Sequence, residues 1–193
     1  MRVNDFFYKV IVINLDRRVD RLEKIDSQLK ELGIHYERFS AVDGKKLDID
    51  PVLAGTMSHL QVMKQIANQR VLILEDDAQF VDNFNEKFEK VIQTLPEDWD
   101  IFYLGALLPK DVGLIRMVNR HWGLQVLTTG SQAYCVNPNK LDYFISKLEN
   151  YKYYIDIGLR DFAKDLKPYI TQPNLVTQFP SYSDLRLKEV NDF

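Results

Sequence analysis

The run Val71-Leu72-Ile73-Leu74 is wholly apolar and passes directly into three acids, Glu75-Asp76-Asp77. A short, continuous apolar run reads as a strand covered on both faces, the situation of strands in parallel sheets flanked by helices. Lys9 to Leu15 is a second such run, rich in β-branched residues. Between the two stands a helical pattern. Leu22, Ile25, Leu29 and Leu32 recur at the spacing of one helix face, with Asp16 as candidate N-cap and Gly33 at the C′ position. Tyr36 to Val42 reads as a further strand ending in the Asp43-Gly44 turn, and Lys45 to Gly55 as irregular. Ser58 is the expected cap of a helix reaching about Asn68.

The alternation continues. Phe84, Phe88, Val91, Ile92 and Leu95 mark an amphipathic helix, and Trp99 to Leu104 a strand stopped by Gly105. Leu107 to Gly123 has no period and reads as a long functional loop. Leu124–Thr128 and Ala133–Val136 are short strands around Thr129-Gly130-Ser131. Asn137 before Pro138 starts a helix to Leu148, and Ile155 to Leu166 is the last helix. A short strand or two falls within Tyr169–Thr177, and the tail from Phe179 reads as irregular. Strands alternating with helices predict an α/β fold with a mostly parallel sheet. In such sheets ligands bind outside the carboxyl ends of the strands. The polar residues that follow a buried strand therefore matter most, and two stretches qualify: Asn14 to Arg21 and Glu75 to Asp77.

Composition removes several classes. The 25 basic and 28 acidic residues leave a net charge of −3, which argues against nucleic acid as a partner. The single cysteine, Cys135, excludes an internal disulfide framework and a Cys-based zinc site. No apolar run approaches the ~18 residues of a membrane span, and Val10–Leu15 is too short for a signal sequence. The expected location is cytoplasmic, and residues 1–193 are expected to form one domain.

If the third strand runs on through its acids, Glu75 and Asp77 point to one side and Asp76 to the other. Crowded carboxylates repel unless a cation sits among them. Mg²⁺ and Mn²⁺ take oxygen ligands, typically one or two carboxylates completed by substrate phosphates. One reading is therefore a metal–diphosphate platform, and the other is a solvated acidic turn. Asp16-Arg17-Arg18-Val19-Asp20-Arg21 is the basic counterpart. Its arginines either grip a phosphate or base, or close a salt-bridged helical turn. Ser58 and His59, at the expected helix start, either favour an anion there or are structural.

Taken together these pieces resemble glycosyltransferase family 25, which includes bacterial lipooligosaccharide galactosyltransferases and collagen galactosyltransferase domains. Ile13-Asn14-Leu15-Asp16-Arg17-Arg18-Val19-Asp20-Arg21 is similar to the family's opening motif and Ala41-Val42-Asp43-Gly44 to its second. Ser58-His59-Leu60 resembles its Ser-His, and Leu72 to Ala78 its version of the Asp-x-Asp signature. Asp98-Trp99-Asp100 through Leu104-Gly105, Ala133-Tyr134, Tyr154-Ile155-Asp156 and Tyr182-Ser183-Asp184 follow in the family's order. Three features depart from the pattern, one being that the region between Asp43 and Ser58 is short. Ala54-Gly55-Thr56-Met57 stands for a Gly-Glu-x-Gly-Cys lead, and Ile157-Gly158 follows Asp156 where some relatives carry a second acid.

The resemblance implies a GT-A fold, a Rossmann-like, mostly parallel sheet flanked by helices. It implies a nucleotide-sugar half over about residues 1–105 and an acceptor half with a tail over about 106–193. It implies an inverting transfer of a hexose, galactose or glucose, from a UDP-sugar to a hydroxyl of a glycan or glycosylated protein, as in lipopolysaccharide biosynthesis. A Mn²⁺ or Mg²⁺ ion on Asp77, helped by Asp76 or Glu75, neutralises the leaving diphosphate in that scheme; alternatively Glu75 or Asp76 holds the ribose. Asn14, Leu15, Arg18, Arg21, Asp43, Ser58, His59, Ser131, Gln132 and Asp184 are the remaining expected substrate contacts, with Arg17 facing solvent. Asp156 is the expected general base, a plain helix N-cap the alternative, and Asp161 and Asp184 the reserves. Tyr134, Tyr153, Tyr154 and Tyr182 either stack on an acceptor sugar or belong to the core. Two other classes remain: a metal-dependent nucleotidyltransferase or phosphohydrolase, and a non-catalytic nucleotide-sugar-binding domain.

Overall fold

A computed structural model describes residues 1–66, 68–107, 116–124, 129–179, 181–183 and 188–190. The chain begins with a single helical turn, α1 (Val3–Phe6), and continues through β1 (Lys9–Asn14), α2 (Val19–Glu31), β2 (Glu37–Ser40), α3 (Gly44–Leu47) and α4 (Pro51–Gln65). There follow β3 (Val71–Glu75), β4 (Ala78–Phe80), α5 (Phe84–Ile92), β5 (Ile101–Tyr103), β6 (Arg116–Met117), β7 (Trp122–Leu124) and β8 (Ala133–Val136). A 3₁₀ turn (Pro138–Lys140) leads into α6 (Leu141–Leu148), then α7 (Ile155–Phe162), β9 (Pro168–Thr171), β10 (Val176–Gln178), β11 (Ser181–Ser183) and β12 (Lys188–Val190).

Eight strands form one sheet in the order β2-β1-β3-β8-β5-β9-β7-β6. β1 pairs in parallel with both β2 and β3, and β5 with β9. β8 enters reversed between β3 and β5, and β7 is antiparallel to β9. The expected α/β fold with a mostly parallel, helix-flanked sheet is the one found.

The apolar runs are continuous because both faces of each strand are buried. Val10 and Val12 of β1, with Leu72 and Leu74 of β3, face one core with Phe7, Phe88, Phe102 and Trp122. Ile11, Ile13, Val71 and Ile73 face the other, under Met63 of α4, Phe144 of α6 and Leu159 of α7. Each such side chain contributes about 1.5–3 kcal/mol by leaving water.

Helix α2 ends as expected. Gly33 has φ +67°, Ile34 N–H reaches the Leu29 carbonyl at 2.8 Å, and Gly33 N–H reaches that of Lys30 at 3.1 Å. These are the two bonds of a Schellman stop.

Several expectations need correction. Asp16 does not cap α2; its carboxylate accepts from Arg38 and Ser40, and Arg18 holds the N-cap position. The stretch expected to be irregular before Ser58 is α3 and the first half of α4. Asp50 caps α4, accepting from Val52 N–H at 2.7 Å and Leu53 N–H at 3.2 Å, with Pro51 in the first turn. Ser58 and His59 are therefore mid-helix, far from any free N–H groups. The last helix stops at Phe162 rather than Leu166.

β4 was not expected. It forms because β10 pairs with it, Gln178 opposite Ala78. The long loop contains β6 and most of β7, while its residues 108–115 and the strand expected at 125–128 lie outside the described residues. The tail read as irregular contains β11 paired with β12. Among the described residues no helix is long and apolar enough to cross a membrane.

Candidate active site

The carboxyl ends of β1 and β3 open into a cavity. Leu15, Arg17, Arg21, Asp43 and Lys45 line one part of it, Ser58, His59 and the three acids another, and Gly130, Ser131, Tyr154, Asp156, Gln178 and Phe179 close it. β3 ends at Glu75, and the chain turns through Asp76 and Asp77 before β4.

The three acids have different partners. Asp76, 6% exposed, accepts from Asn14 Nδ2 at 2.8 Å on one oxygen and from Arg21 Nη1 at 2.7 Å on the other. Arg21 also reaches Asp77 Oδ2 at 3.1 Å, and Gln178 Nε2 donates to Asp77 Oδ1 at 3.3 Å and to Glu75 Oε2 at 3.2 Å. Glu75 Oε1 accepts from the Ser131 hydroxyl.

Burial and the neighbouring charge of Asp77 push Glu75 up to about 8. Burial pushes Asp77 up to about 6 against the pull of Arg21. The Arg21 guanidinium stands above its ordinary value, because the Asp77 and Asp76 carboxylates outweigh the burial that opposes its charge.

His59 is a neutral imidazole. Burial pushes it down to about 3, its Nδ1 meets the Tyr134 hydroxyl at 2.9 Å, and its Nε2 stands 3.6 Å from Glu75 Oε1. With His59 neutral, that approach is not an ion pair. Ser58 ties helix to loop: its hydroxyl donates to the Ala54 carbonyl at 2.8 Å and accepts from Val42 N–H at 2.9 Å. Asp43 caps α3, taking Lys45 N–H at 3.0 Å, and accepts from Arg17 Nε at 3.2 Å.

Asp156 is not the N-cap of α7; Tyr154 is, and Asp156 stands two positions inside. Its Oδ1 accepts from Ile157 N–H at 2.8 Å, and its Oδ2 accepts from Gly130 N–H at 3.2 Å. Gly130 has φ +106°, and a Cβ there would lie 2.5 Å from Gln132 Oε1. Only glycine fits. The Gly130-Ser131 pair thus holds Asp156 through one residue and Glu75 through the next.

The cavity lining includes Leu15, Arg21, Asp43, Ser58, His59, Glu75, Asp76, Asp77, Ser131 and Asp156 of the expected site. Others stand elsewhere. Asn14 is buried beneath the acids, where it bonds Asp76. Arg18 pairs with Asp20 at 2.8 Å and is absent from the lining, whereas Arg17, expected to face solvent, is on it. Gln132 is fully buried and also absent from the lining, since it points into the fold beneath Gly130. Asp161 pairs with Arg160 and Lys164 away from the cavity. Tyr134 is fully buried core, Tyr154 lines the cavity and Tyr153 is exposed. Asp184 lies outside the described residues, and so does the side chain of Tyr182. Gln178 was not foreseen: its place depends on β10 pairing with β4, which has no local signal.

Among the described residues no three His, Cys, Asp or Glu side chains form a group able to hold a metal ion by themselves. The donor chemistry nevertheless fits a hard cation that completes its shell with phosphate. Glu75 and Asp77 offer carboxylate oxygens that burial and a neighbouring carboxylate, Asp77 for Glu75 and Asp76 for Asp77, hold above their ordinary values, a cost that a divalent cation would relieve. Asp76 is the acid that the protein holds through a buried amide and a buried guanidinium, from Asn14 and Arg21.

Fold and site define a class: an α/β chain with a mostly parallel, helix-flanked sheet and an acid-lined cavity at the carboxyl ends of its parallel strands. Comparison with known proteins narrows it. The model of "Glycosyltransferase family 25 (LPS biosynthesis protein)" matches residues 7–54. A putative glycosyltransferase, R655, of Acanthamoeba polyphaga mimivirus is 32% identical over 165 residues, which cover 74% of this chain and 48% of that protein. Procollagen galactosyltransferase 2 of Homo sapiens is 24% identical over 223 residues, covering 88% of this chain and 35% of that one. The chain is related to glycosyltransferase family 25, as its motifs indicate. It spans about half the length, or less, of these curated relatives, and others it matches are named inactive family members. Among solved structures, a UDP-glucose pyrophosphorylase complexed with UDP-glucose aligns with TM-score 0.46 at 13% identity, covering 84% of this chain and 72% of that one.

Proposed function

We propose that this chain is a metal-assisted, inverting hexosyltransferase that takes galactose or glucose from a UDP-sugar to a hydroxyl of a glycan or glycosylated protein. One observation carries the reading: the Gly130-Ser131 turn holds a carboxylate of each kind the reaction needs, Glu75 in the acid cluster and Asp156 across the cavity. Arg21 and Gln178 fix the acid cluster, Asp77 with Glu75 being the pair that would hold Mn²⁺ or Mg²⁺. The ion, when bound, neutralises charge on the leaving diphosphate. Arg17, Asp43 and Lys45 line the part of the cavity left for the nucleotide. The acceptor oxygen attacks the anomeric carbon, the bond from that carbon to the diphosphate oxygen breaks, and the acceptor proton passes to Asp156.

A second reading, binding without transfer, is favoured by the matched relatives named inactive. One screen separates the two. UDP-glucose, UDP-galactose and UDP-N-acetyl sugars are incubated with the protein and Mn²⁺ or Mg²⁺, with and without excess chelator. Metal-dependent release of UDP is the expected result. Binding with no release in any condition supports the second reading, and release undiminished by chelator removes the metal from the scheme.

A further inference from the structure

We infer that Arg38, on β2 and outside the cavity, is a positioning residue for the acid cluster, acting through the side-chain amide of Asn14. The inference rests on the reading of the cavity as a nucleotide-sugar site. Asn14 is the last residue of β1 and is 1% exposed. Its Nδ2 donates to the Arg18 carbonyl at 3.0 Å and to Asp76 Oδ2 at 2.8 Å. Its Oδ1 accepts from Arg38 Nε at 2.9 Å, and a second Arg38 nitrogen leans on the Asn14 carbonyl at 3.4 Å.

An amide has two orientations related by a half-turn, and its two ends differ only in donor or acceptor character. Here all three contacts require the same one. The reverse orientation sets oxygen against the Arg18 carbonyl and the Asp76 carboxylate, and a donor against a guanidinium that has only donors. Among the described residues Arg38 is the single partner on the acceptor side. Without it the amide loses the contact that opposes rotation on that side. Asp76 is held on its other oxygen by Arg21, which also holds Asp77. The relay Arg38–Asn14–Asp76–Arg21–Asp77 therefore runs from the sheet edge into the cavity.

Arg38 also pairs with exposed Asp16 at 2.6 Å, so its removal has a surface effect that must be separated. The test is equilibrium binding of UDP-galactose and UDP-glucose, with Mn²⁺ present, to four folded proteins: unaltered, Arg38→Met, Arg38→Lys and Asp16→Asn. Met keeps the stem and removes every donor, Lys restores one donor, and Asp16→Asn removes only the surface charge. The expected result is that affinity falls roughly 10-fold in Arg38→Met, the low end for loss of an outer-shell partner, is partly restored in Arg38→Lys, and is unchanged in Asp16→Asn. Unaltered affinity in a folded Arg38→Met protein overturns the inference, as does an equal loss in Asp16→Asn. If Arg38→Met fails to fold, an unchanged affinity in Asn14→Ser, which cannot bridge Arg38 and Asp76, overturns it equally. No binding of either sugar nucleotide by the unaltered protein is a failure of the function proposed above instead.

Discussion

Both oxygens of Asp156 already accept backbone N–H groups, from Ile157 and Gly130. Asparagine keeps one acceptor oxygen of the same shape, gives up the bond accepted at the other and cannot take a proton. Asp156→Asn is therefore expected to stay folded and to bind the UDP-sugar, while transfer falls by roughly 10²–10⁴. Transfer rate and donor affinity measured on one sample check this, and near-normal transfer would remove Asp156 from its role. The acid cluster makes a second prediction, for the protein in chelator. Glu75 and Asp77 are raised to about 8 and about 6 from 4.5 and 3.8. The folded chain therefore binds more protons than the unfolded chain between those limits, and these groups add stability as pH falls from about 8 towards about 4. In thermal melts across that window, Glu75→Gln with Asp77→Asn is expected to flatten this rise; an identical profile in the double variant would show that other groups set it. Three acids after a buried strand were legible in the sequence. Their division of labour was not, because Asn14, Arg21 and Gln178 reach them from 62, 55 and up to 103 residues away.

Helix α4 shows what local reading reaches and where it stops. Its apolar spacing is visible, but the sequence reading starts it at Ser58, seven residues beyond Pro51. The signal was present in Asp50-Pro51, the cap-then-proline pattern that was recognised at Asn137-Pro138. Replacing Asp50 with alanine removes both bonds to the first turn and is expected to cost roughly 0.5–2 kcal/mol. His59 stands nine residues on, held by Tyr134, so donor affinity is expected to persist. Urea unfolding together with donor binding checks the pair, and lost affinity with full stability would mean that the first turn itself touches the ligand. The Gly130 turn behaves differently. Gly130→Ala is expected to cost about 1–3 kcal/mol in backbone strain and to turn its N–H away from Asp156. Reduced stability with undiminished transfer would show that the Gly130 bond is dispensable.

At the scale of the molecule, the alternation of elements and the two buried strands were enough to give the fold class. The sheet order was not readable, because the reversed insertion of β8 between β3 and β5 depends on pairings such as Ile73 with Tyr134 and Tyr103 with Tyr134, which no local pattern announces. The cavity draws on residues from Ile13 to Phe179, so a ligand there joins stretches from both ends of the described fold. A UDP-sugar at about 100 times its Kd is expected to raise stability by about 2.7 kcal/mol, as a shift of the entire melting transition. A shift confined to part of a biphasic melt would count against it. The reversed strand has one more outcome. Because β8 runs against its neighbours, its leading turn arrives at the rim where β1 and β3 leave off, and the cavity closes only when Gln178 of β10 reaches Glu75. On a ribosome, where chain emerges from its amino end, the acids are laid down about a hundred residues before Gln178, the last of their partners among the described residues. A nascent chain of this protein has no finished cavity to offer until nearly all of its central sheet has been made, so a ligand of that cavity cannot act as a template for the early stages of its folding.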